Sequence, residues 1–348
     1  MHPPRLTCLP AQGGCARLGL VKPGAAWHLT GAPGRSLRRG TGSPLPPRRG
    51  DGFMNDVAPP RSALPLLSGF SEIAGNYDLI LCDVWGVIHN GVSAFPAACH
   101  ALEQVRATGA SVFLVSNAPR PNAFVMAMLD GMGVPRTSYD GIVTSGDVTR
   151  SVLADRPGAR MFHLGPARDL GTYEGLDLVH TPLGEAELVV CTGLLNDDVE
   201  TPDDYRPMLE QMRARDLAFV CANPDIVVER GDRLIYCAGA IAQLYDELGG
   251  SSLYCGKPHP PIYAEALKRT LTVRDSVPVP SRILAIGDAL RTDVTGAAGA
   301  GFDSLFISSG IHAIELRSEH GAPPDMELVE QLFAAGPRPN AVMPRLSW

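Results

Sequence analysis

The sequence predicts an α/β fold class with a parallel sheet, and three observations predict it. From about residue 78, short apolar runs alternate with stretches of helical periodicity, which is typical of repeated strand-helix units. Several apolar runs end on a polar or charged residue, as strands do where open α/β sheets build their sites. Two helical stretches also have recognisable ends. Together these features predict α/β units on a parallel sheet.

The predicted strands come from runs of apolar and β-branched residues, in chain order 79–82, 112–115, 141–144, 188–191, 218–221, 283–286 and 304–307. One predicted helix follows Thr201 as N-cap with Pro202 in its first turn, and acidic residues come next, where the helix dipole favours them. The stretch AIAQLYDELGG ends at Gly249 and Gly250, as a left-handed C-terminal cap requires. These residues define helix ends rather than sites.

The first 53 residues are predicted to lie outside the fold. They are rich in Pro, Gly and Arg, lack periodicity, and contain eight basic residues against the single acid Asp51. They are either a disordered extension or the product of a start assigned too far upstream, and we prefer the second interpretation, with the working protein beginning near Met54. Sparse serine and the missing amphipathic stripe disfavour a transit peptide.

The remainder of the chain is acidic, because the net charge is −7 despite the basic first segment. An acidic body argues against nucleic-acid binding and against docking on an anionic membrane. No run of about 18 apolar residues occurs, so no membrane span is predicted. The eight cysteines are scattered without a CxxC motif, which favours reduced thiols and a cytoplasmic location.

Three segments follow the first 53 residues in the predicted domain organisation. Residues 54–158 form the first part of the core, residues 159–250 form an inserted α/β lobe, and residues 251–348 form the second part of the core and a C-terminal tail. The inserted stretch has strand and helix signals of its own. Its acidic run NDDVETPDD is interpreted as a solvated loop and helix start, because the helix cap already uses those acids.

Two motifs in the first part of the core place polar groups at strand ends. In LCDVWGV, Asp83 ends a strand, and Gly86 favours a tight turn that exposes its carboxylate. In FLVSNAPR, Ser116 and Asn117 offer a hydroxyl and backbone N–H groups to an anion. Each motif is weak alone, since an ordinary turn or helix cap also accounts for it.

Two further motifs lie in the last part of the chain. YCGKPHPPIY holds Lys257 between Gly256 and Pro258, which suits a fixed charge, although a surface turn is the alternative. It is not a Walker A loop, because Pro258 stands where Ser or Thr is needed. In ILAIGDALRTDVTGA, Asp288 ends a strand and Asp293 follows, so the two acids either bind a hard divalent cation or cap local structure.

Taken in order, D-x-x-G-V, S-N, G-K-P and G-D-x-x-x-T-D resemble the motifs of the haloacid dehalogenase-like superfamily. The resemblance runs from about residue 77 to 315. The inserted stretch, with VCTGLL and CANPD, is similar to the cap of class IIA, the branch of sugar, nucleotide and pyridoxal phosphate phosphatases. The resemblance implies a Rossmann-like core with a mobile α/β cap, and Mg²⁺-dependent hydrolysis of a small phosphorylated metabolite through an aspartyl-phosphate.

The resemblance also implies a metal site and a nucleophile. Asp83 would attack the phosphoryl group. Mg²⁺ would be bound by the Asp83 carboxylate, the backbone carbonyl of Trp85 and the Asp288 side chain, with Asp293 supporting the site. These residue types fit the reaction, because the nucleophile and the phosphoryl group are both anions and a cation must offset their repulsion.

A phosphate-binding set is implied as well. Ser116 and the backbone of Asn117 would hold phosphate oxygens. Lys257 would neutralise both the nucleophile and the transferring group, since an ammonium placed in advance stabilises the charge of the transition state.

Residue 85 departs from the family pattern. Phosphatases of the superfamily normally have a second aspartate there, which protonates the leaving oxygen and then activates water. Trp85 donates only and cannot act as a base, and general acid–base help is worth about 10²–10⁴-fold. Three outcomes stay open: His89 replaces the acid, although a structural turn histidine is the alternative; the substrate has a good leaving group; or the protein binds its ligand and hardly turns it over.

Other members of the superfamily also lack that aspartate. Intact GDALRTD argues against a metal-free haloacid dehalogenase, and residues 159–250 contain no lysine for the imine of a phosphonatase. In CANPD, Ala222 replaces the usual Thr, and Asn223 and Asp225 either contact substrate or form a turn, the turn being favoured. Arg291 either meets an anionic substrate or forms a surface ion pair.

The sequence therefore predicts a cytoplasmic, Mg²⁺-dependent phosphatase of a small phosphorylated metabolite. The alternative is a catalytically weak phosphometabolite-binding or regulatory protein with the same fold. Neither a nucleic acid nor a membrane is a predicted partner. The identity of the substrate and the oligomeric state, including a homo-oligomer, are left open by the sequence.

Overall fold

The structure, a computed structural model, describes residues 62–230 and 233–348. The predicted extension at residues 1–53 lies outside the described residues. Among those that are described, no helix combines the length and the apolar composition needed to cross a lipid bilayer.

The described chain forms two parallel sheets and one hairpin. The core sheet consists of β1 (Leu79–Cys82), β2 (Ser111–Ser116), β3 (Gly141–Thr144), β11 (Ile283–Gly287), β12 (Asp303–Ile307) and β13 (Ala341–Met343), in the spatial order β13-β12-β11-β1-β2-β3. The cap sheet consists of β4 (Ala159–Leu164), β5 (Leu178–His180), β6 (Leu188–Cys191), β7 (Ala218–Cys221) and β10 (Ser252–Tyr254), in the order β10-β7-β6-β4-β5. The hairpin pairs β8 (Val227–Arg230) with β9 (Arg233–Tyr236).

The helices connect these strands. They are α1 (Ser71–Ala74), α2 (Pro96–Ala107), α3 (Asn122–Gly131), α4 (Ser145–Ala154), α5 (Arg206–Ala214), α6 (Ala238–Glu247), α7 (Pro260–Thr270), α8 (Thr295–Ala300) and α9 (Met326–Leu332). Helix α4 begins directly after β3, where Thr144 and Asp147 form a capping box. The predicted α/β fold class, a Rossmann-like parallel core with an inserted α/β cap, is confirmed.

Strand β1 shows why the core sheet is buried on both faces. Its side chains alternate, so that Leu79 and Leu81 join one apolar cluster while Ile80 and Cys82 join the other. All four are buried, as expected for a central strand of a parallel sheet. The cluster that contains Leu79 continues into the cap sheet through Val190, so apolar packing links the core to the cap.

Each predicted strand is present with its ends shifted by no more than one residue. Gly249 has the predicted left-handed conformation, with φ of +84°. Thr201 forms a capping box, but the turn it caps, Pro202–Tyr205, is a 3₁₀ helix that leads into α5. The prediction that the core resumes at residue 251 is wrong in one respect, because β10 pairs with β7 of the cap sheet.

Candidate active site

The carboxyl ends of the central core strands bring the predicted residues to one edge. Strand β1 pairs in parallel with β2 on one side and β11 on the other, so all three end at the same edge of the sheet. Asp83 follows β1, Ser116 ends β2, and Asp288 follows β11. These side chains come from distant parts of the chain and meet because neighbouring parallel strands end together.

Three aspartates converge on a lysine at this edge. Carboxylate oxygens of Asp83, Asp288 and Asp293 all lie within 4.8 Å of one another. Lys257 Nζ lies 2.7 Å from Asp83 Oδ1 and 2.7 Å from Asp293 Oδ1. The lysine is buried, so its charge is held between these two acids rather than in water.

Glycines allow the backbone to approach these acids. Gly86 has φ of +76°, and a Cβ atom there would lie 2.0 Å from Asp288 Oδ2. A Cβ atom at Gly310 would lie equally close to the same oxygen. The next residue, Ile311, donates its backbone N–H to Asp288 Oδ2 at 2.8 Å. Any side chain at position 86 or 310 would therefore displace the carboxylate.

The acids at this edge disfavour one another's ionised forms. Burial, followed by the neighbouring Asp293, raises the pKa of Asp288 to about 7. The same two causes raise the pKa of Asp83 well above its usual value. Burial opposes the charge of Lys257, but the carboxylates of Asp293 and Asp83 outweigh it, so its pKa is raised.

The donor set fits a hard divalent cation. Two buried carboxylates, those of Asp288 and Asp293, and the partly buried carboxylate of Asp83 face a single ammonium, which leaves excess negative charge. Carboxylate oxygens are the ligands that Mg²⁺ prefers. A dication held by Asp83 and Asp288 would offset this excess negative charge. The residues present therefore suit the predicted metal.

The side chain of Asn117 has a role that the sequence analysis missed. Its Oδ1 accepts a hydrogen bond from the backbone N–H of Lys257 at 2.7 Å, and its Nδ2 donates to Asp225 Oδ1 at 2.8 Å. Asn117 thus positions the segment that carries the lysine and links the core to the cap. Only its backbone was predicted to act, because nothing in the sequence indicated that β2 and residues 223–225 are neighbours.

Asn223 and Asp225 form a turn and also line the site. Asn223 Oδ1 accepts from the backbone N–H of Asp225 at 3.0 Å. Burial raises the pKa of Asp225, and the hydrogen bond from Asn117 opposes that shift. The two interpretations of CANPD are therefore compatible.

These groups surround a cavity of about 230 Å³, which we call the charged pocket. Its lining includes most of the predicted site residues, namely Asp83, Trp85, Ser116, Asn117, Asn223, Asp225, Lys257 and Asp288. Asp293 lies behind Lys257 rather than in the wall. Arg291 lines another adjoining cavity of about 450 Å³ on the other flank, together with His259 and His312, and this cavity shares Asp225 with the charged pocket.

His89 is not brought into the charged pocket. It is 1% exposed, and its Nδ1 accepts the backbone N–H of Gly91 at 2.8 Å. Burial lowers its pKa to about 4, so the ring is neutral at pH 7. Its ring stands edge-on to Trp85, with centroids 5.2 Å apart. A role for His89 in replacing the missing acid stays a prediction.

Trp85 separates the charged pocket from a larger space. Its indole packs against Gly91, where a Cβ atom would lie 2.2 Å from Trp85 Cη2. On its far side is a cavity of about 500 Å³ between core and cap, which we call the apolar cavity. Both cavities are lined by Trp85, Ser116, Ala118, Asn223 and Val228, so they adjoin each other.

Comparison with known proteins agrees with this geometry. Family models match residues 80–178, described as a haloacid dehalogenase-like hydrolase, and residues 254–335, described as HAD-hydrolase-like. A solved hydrolase of the haloacid dehalogenase-like family from Brucella suis 1330 is 48% identical, with a TM-score of 0.71, over 80% of this chain and 98% of that one. The chain belongs to the haloacid dehalogenase-like family. This confirms the resemblance predicted from the four motifs, including its class IIA branch.

Two curated relatives are more distant. A D-glycerol 3-phosphate phosphatase from Mycobacterium tuberculosis is 28% identical over 70% of this chain and 66% of that protein. An acid sugar phosphatase from Staphylococcus aureus is 24% identical over 71% of this chain and 93% of that protein. Both relatives are named as phosphatases.

Proposed function

We propose that this protein is a Mg²⁺-dependent phosphatase that transfers the phosphoryl group of a small metabolite to Asp83 and then to water. The observation that carries the proposal is the Lys257 ammonium, which lies 2.7 Å from Asp83 and from Asp293 at the floor of a pocket between core and cap. The two phosphatases to which the chain is similar support the same class of reaction.

The predicted nucleophile, metal-binding and phosphate-binding residues each have a place in this reaction. Lys257 holds Asp83 and offsets the charge of the incoming phosphoryl group. Ser116 and the backbone of Asn117 would bind phosphate oxygens. Mg²⁺ would be held by Asp83, Asp288 and the carbonyl of Trp85, with Asp293 in support, and when bound it neutralises charge on the transferring group.

The chemistry has two steps. An Asp83 carboxylate oxygen attacks phosphorus, the bond from phosphorus to the leaving oxygen breaks, and that oxygen takes the electron pair. Water then attacks the aspartyl-phosphate, the bond from phosphorus to Asp83 breaks, and inorganic phosphate leaves while the water proton passes to phosphate or solvent. Asp83 is restored as a carboxylate.

Phosphate release by the full chain with Mg²⁺ tests the proposal, with p-nitrophenyl phosphate as substrate. Asp83→Asn should lower kcat by about 10³-fold or more, because the amide is a poor nucleophile. The exposed Asp155 provides the control Asp155→Asn, which should keep wild-type activity. An Asp83→Asn variant as active as the wild type would contradict the proposal.

Trp85 favours a second candidate, a protein that binds a phosphorylated ligand without turning it over. Saturable binding with phosphate release no faster than the uncatalysed reaction would support that candidate instead. We keep the cytoplasmic location as part of the proposal, which the buried free cysteines of the described chain, Cys82 and Cys191 among them, support.

A further inference from the structure

The apolar cavity has a composition suited to an organic group. Its wall includes the large apolar side chains of Trp85, Phe124, Met128, Ile235 and Tyr236. Two ion pairs, Arg120–Asp169 and Arg168–Asp197, also line the cavity. Phe124 is 46% exposed, Met128 40% and Tyr236 40%, so these side chains leave apolar surface uncovered towards the space between core and cap. Apolar surface of this kind marks a binding site rather than a solvated face.

The leaving group would face this cavity rather than the flank that holds Arg291. Residue 85 is the position that acts on the leaving oxygen in related phosphatases, and Trp85 lines the apolar cavity but not the Arg291 cavity. A cavity of roughly 150 Å³ is enough for benzene. At about 500 Å³, the apolar cavity has room for a larger aromatic group.

Trp85 also limits which leaving groups can depart. Indole cannot protonate the leaving oxygen, and the apolar surface around Trp85 stabilises an alkoxide poorly. A phenol ionises near pH 10, whereas water ionises near about 16. A phenolate or enolate can therefore leave unprotonated where an alkoxide cannot.

We propose that the substrates are phosphate monoesters of acidic hydroxyl groups, above all phenols and enols, whose aromatic or apolar part occupies the apolar cavity against Trp85 and Phe124. This inference rests on the proposed phosphatase function. In the first step the bond from phosphorus to the phenolic oxygen breaks as Asp83 attacks, the phenolate leaves with the electron pair, and solvent protonates it.

Four phosphate compounds separate size from leaving-group acidity in the test. 1-Naphthyl phosphate is large and activated, acetyl phosphate small and activated, benzyl phosphate large and unactivated, and glycerol 3-phosphate small and unactivated. With Mg²⁺, kcat/KM should be highest for naphthyl phosphate and at least about 10²-fold lower for benzyl phosphate, the scale of missing general-acid help. Glycerol 3-phosphate hydrolysed within tenfold of naphthyl phosphate would overturn the inference and leave the phosphatase proposal intact.

Variants test which residues set the preference for an acidic leaving group and which set the preference for a large one. Trp85→Asp should raise kcat/KM for benzyl phosphate by about 10²-fold, whereas Trp85→Phe, which keeps the bulk but adds no acid, should not. Phe124→Ala should lower the naphthyl-to-acetyl ratio about tenfold, while Leu271→Ala, at an exposed leucine outside both cavities, should not change that ratio.

Two other results would contradict different proposals. A fall in the naphthyl-to-acetyl ratio in Arg291→Ala but not in Phe124→Ala would place the leaving group in the other cavity and overturn the inference. Phosphate release from none of the four compounds, with wild type or with Trp85→Asp, would instead contradict the phosphatase proposal itself.

Discussion

The core sheet and the cap sheet are both parallel, and both direct carboxyl ends of their strands towards the space between them, yet the two edges differ in charge. The core edge presents Asp83 and Asp288. The cap edge presents the neutral residues Pro166, Thr192 and Asn223 after β4, β6 and β7. Its charged residues have partners, since Arg168 pairs with Asp197, and Asp225 accepts from Asn117. The core edge therefore gathers three acids around one lysine, whereas no such cluster forms at the cap edge among the described residues.

The two edges also differ in the interactions that their residues make. The core edge buries three acids and a lysine at a high electrostatic cost, which reactive groups require. The cap edge packs closely instead: a Cβ atom at Gly165 would lie 2.1 Å from Thr192 Oγ1, and Thr192 lies 3.0 Å from His163 Nε2. Substitutions on the core edge should therefore affect the reaction, and substitutions on the cap side should affect the choice of substrate.

The largest effect is expected at Lys257. Lys257→Met leaves Asp83 and Asp293 buried without their cation, so we expect kcat to fall by about 10²–10³-fold and the free energy of unfolding to fall by about 3–5 kcal/mol. Lys268→Met, at a lysine on the exposed face of α7, is the matched control and should change neither quantity. Phosphate release and urea unfolding measure the two quantities. Equal effects in the two variants would contradict the role given to the core edge.

Removal of the metal should have the second-largest effect. Treatment with EDTA should abolish phosphate release, and Mg²⁺ at about 100 times its Kd should stabilise the folded protein by about 2.7 kcal/mol, because the ion binds only the folded site. Thermal unfolding with and without Mg²⁺ measures this. Asp288→Asn should lose most of the Mg²⁺-dependent rise in Tm. A Tm that does not respond to Mg²⁺ in the wild type would argue against the metal site.

A smaller effect is expected at the link between the two edges. Asn117→Ala removes the donor to Asp225 and the acceptor for the Lys257 backbone, so we expect a loss of about 1–3 kcal/mol of unfolding free energy and a fall in kcat. Asn76→Ala, at an exposed asparagine, should have no effect. If Asn117→Ala were as stable and active as Asn76→Ala, the core and cap would not depend on this link.

The smallest effect is expected at His89. His89→Phe keeps a buried ring but removes both nitrogens, and we expect kcat/KM for benzyl phosphate to change by less than about threefold, since the ring lies behind Trp85 rather than in the charged pocket. A fall of about 10² or more would instead identify His89 as the general acid. Comparing kcat/KM for benzyl phosphate in the wild type and the variant decides whether His89 is a general acid or a structural residue.

The sequence predicted the core edge better than the cap side, for a physical reason. Asp83, Lys257 and Asp288 each follow or flank a short buried segment, and parallel strands end together, so neighbouring strand ends imply a common site. The contact between Asn117 and Asp225 joins residues 108 positions apart, and no local pattern encodes it.

The apolar cavity was missed because apolar residues are normally assigned to a core. Helix α3 carried the signal: Val125 and Leu129 are buried, while Phe124 and Met128 on the other face remain exposed. A helix that is apolar on both faces has a second surface to cover. Strand β4 was missed because Arg160 and His163 interrupt its apolar residues. Strand β5 was missed as well.

The most direct test of the central claim is a rapid-mixing measurement with p-nitrophenyl phosphate and Mg²⁺. In the proposed reaction, Trp85 leaves the second step without a base as well as the first without an acid, so an activated ester should phosphorylate Asp83 faster than water can release the phosphate. We predict a burst of nitrophenolate approaching one equivalent per protein, followed by slow turnover, and Trp85→Asp should abolish the burst and raise kcat. Linear release from the first turnover, with the same kcat in both proteins, would contradict the account.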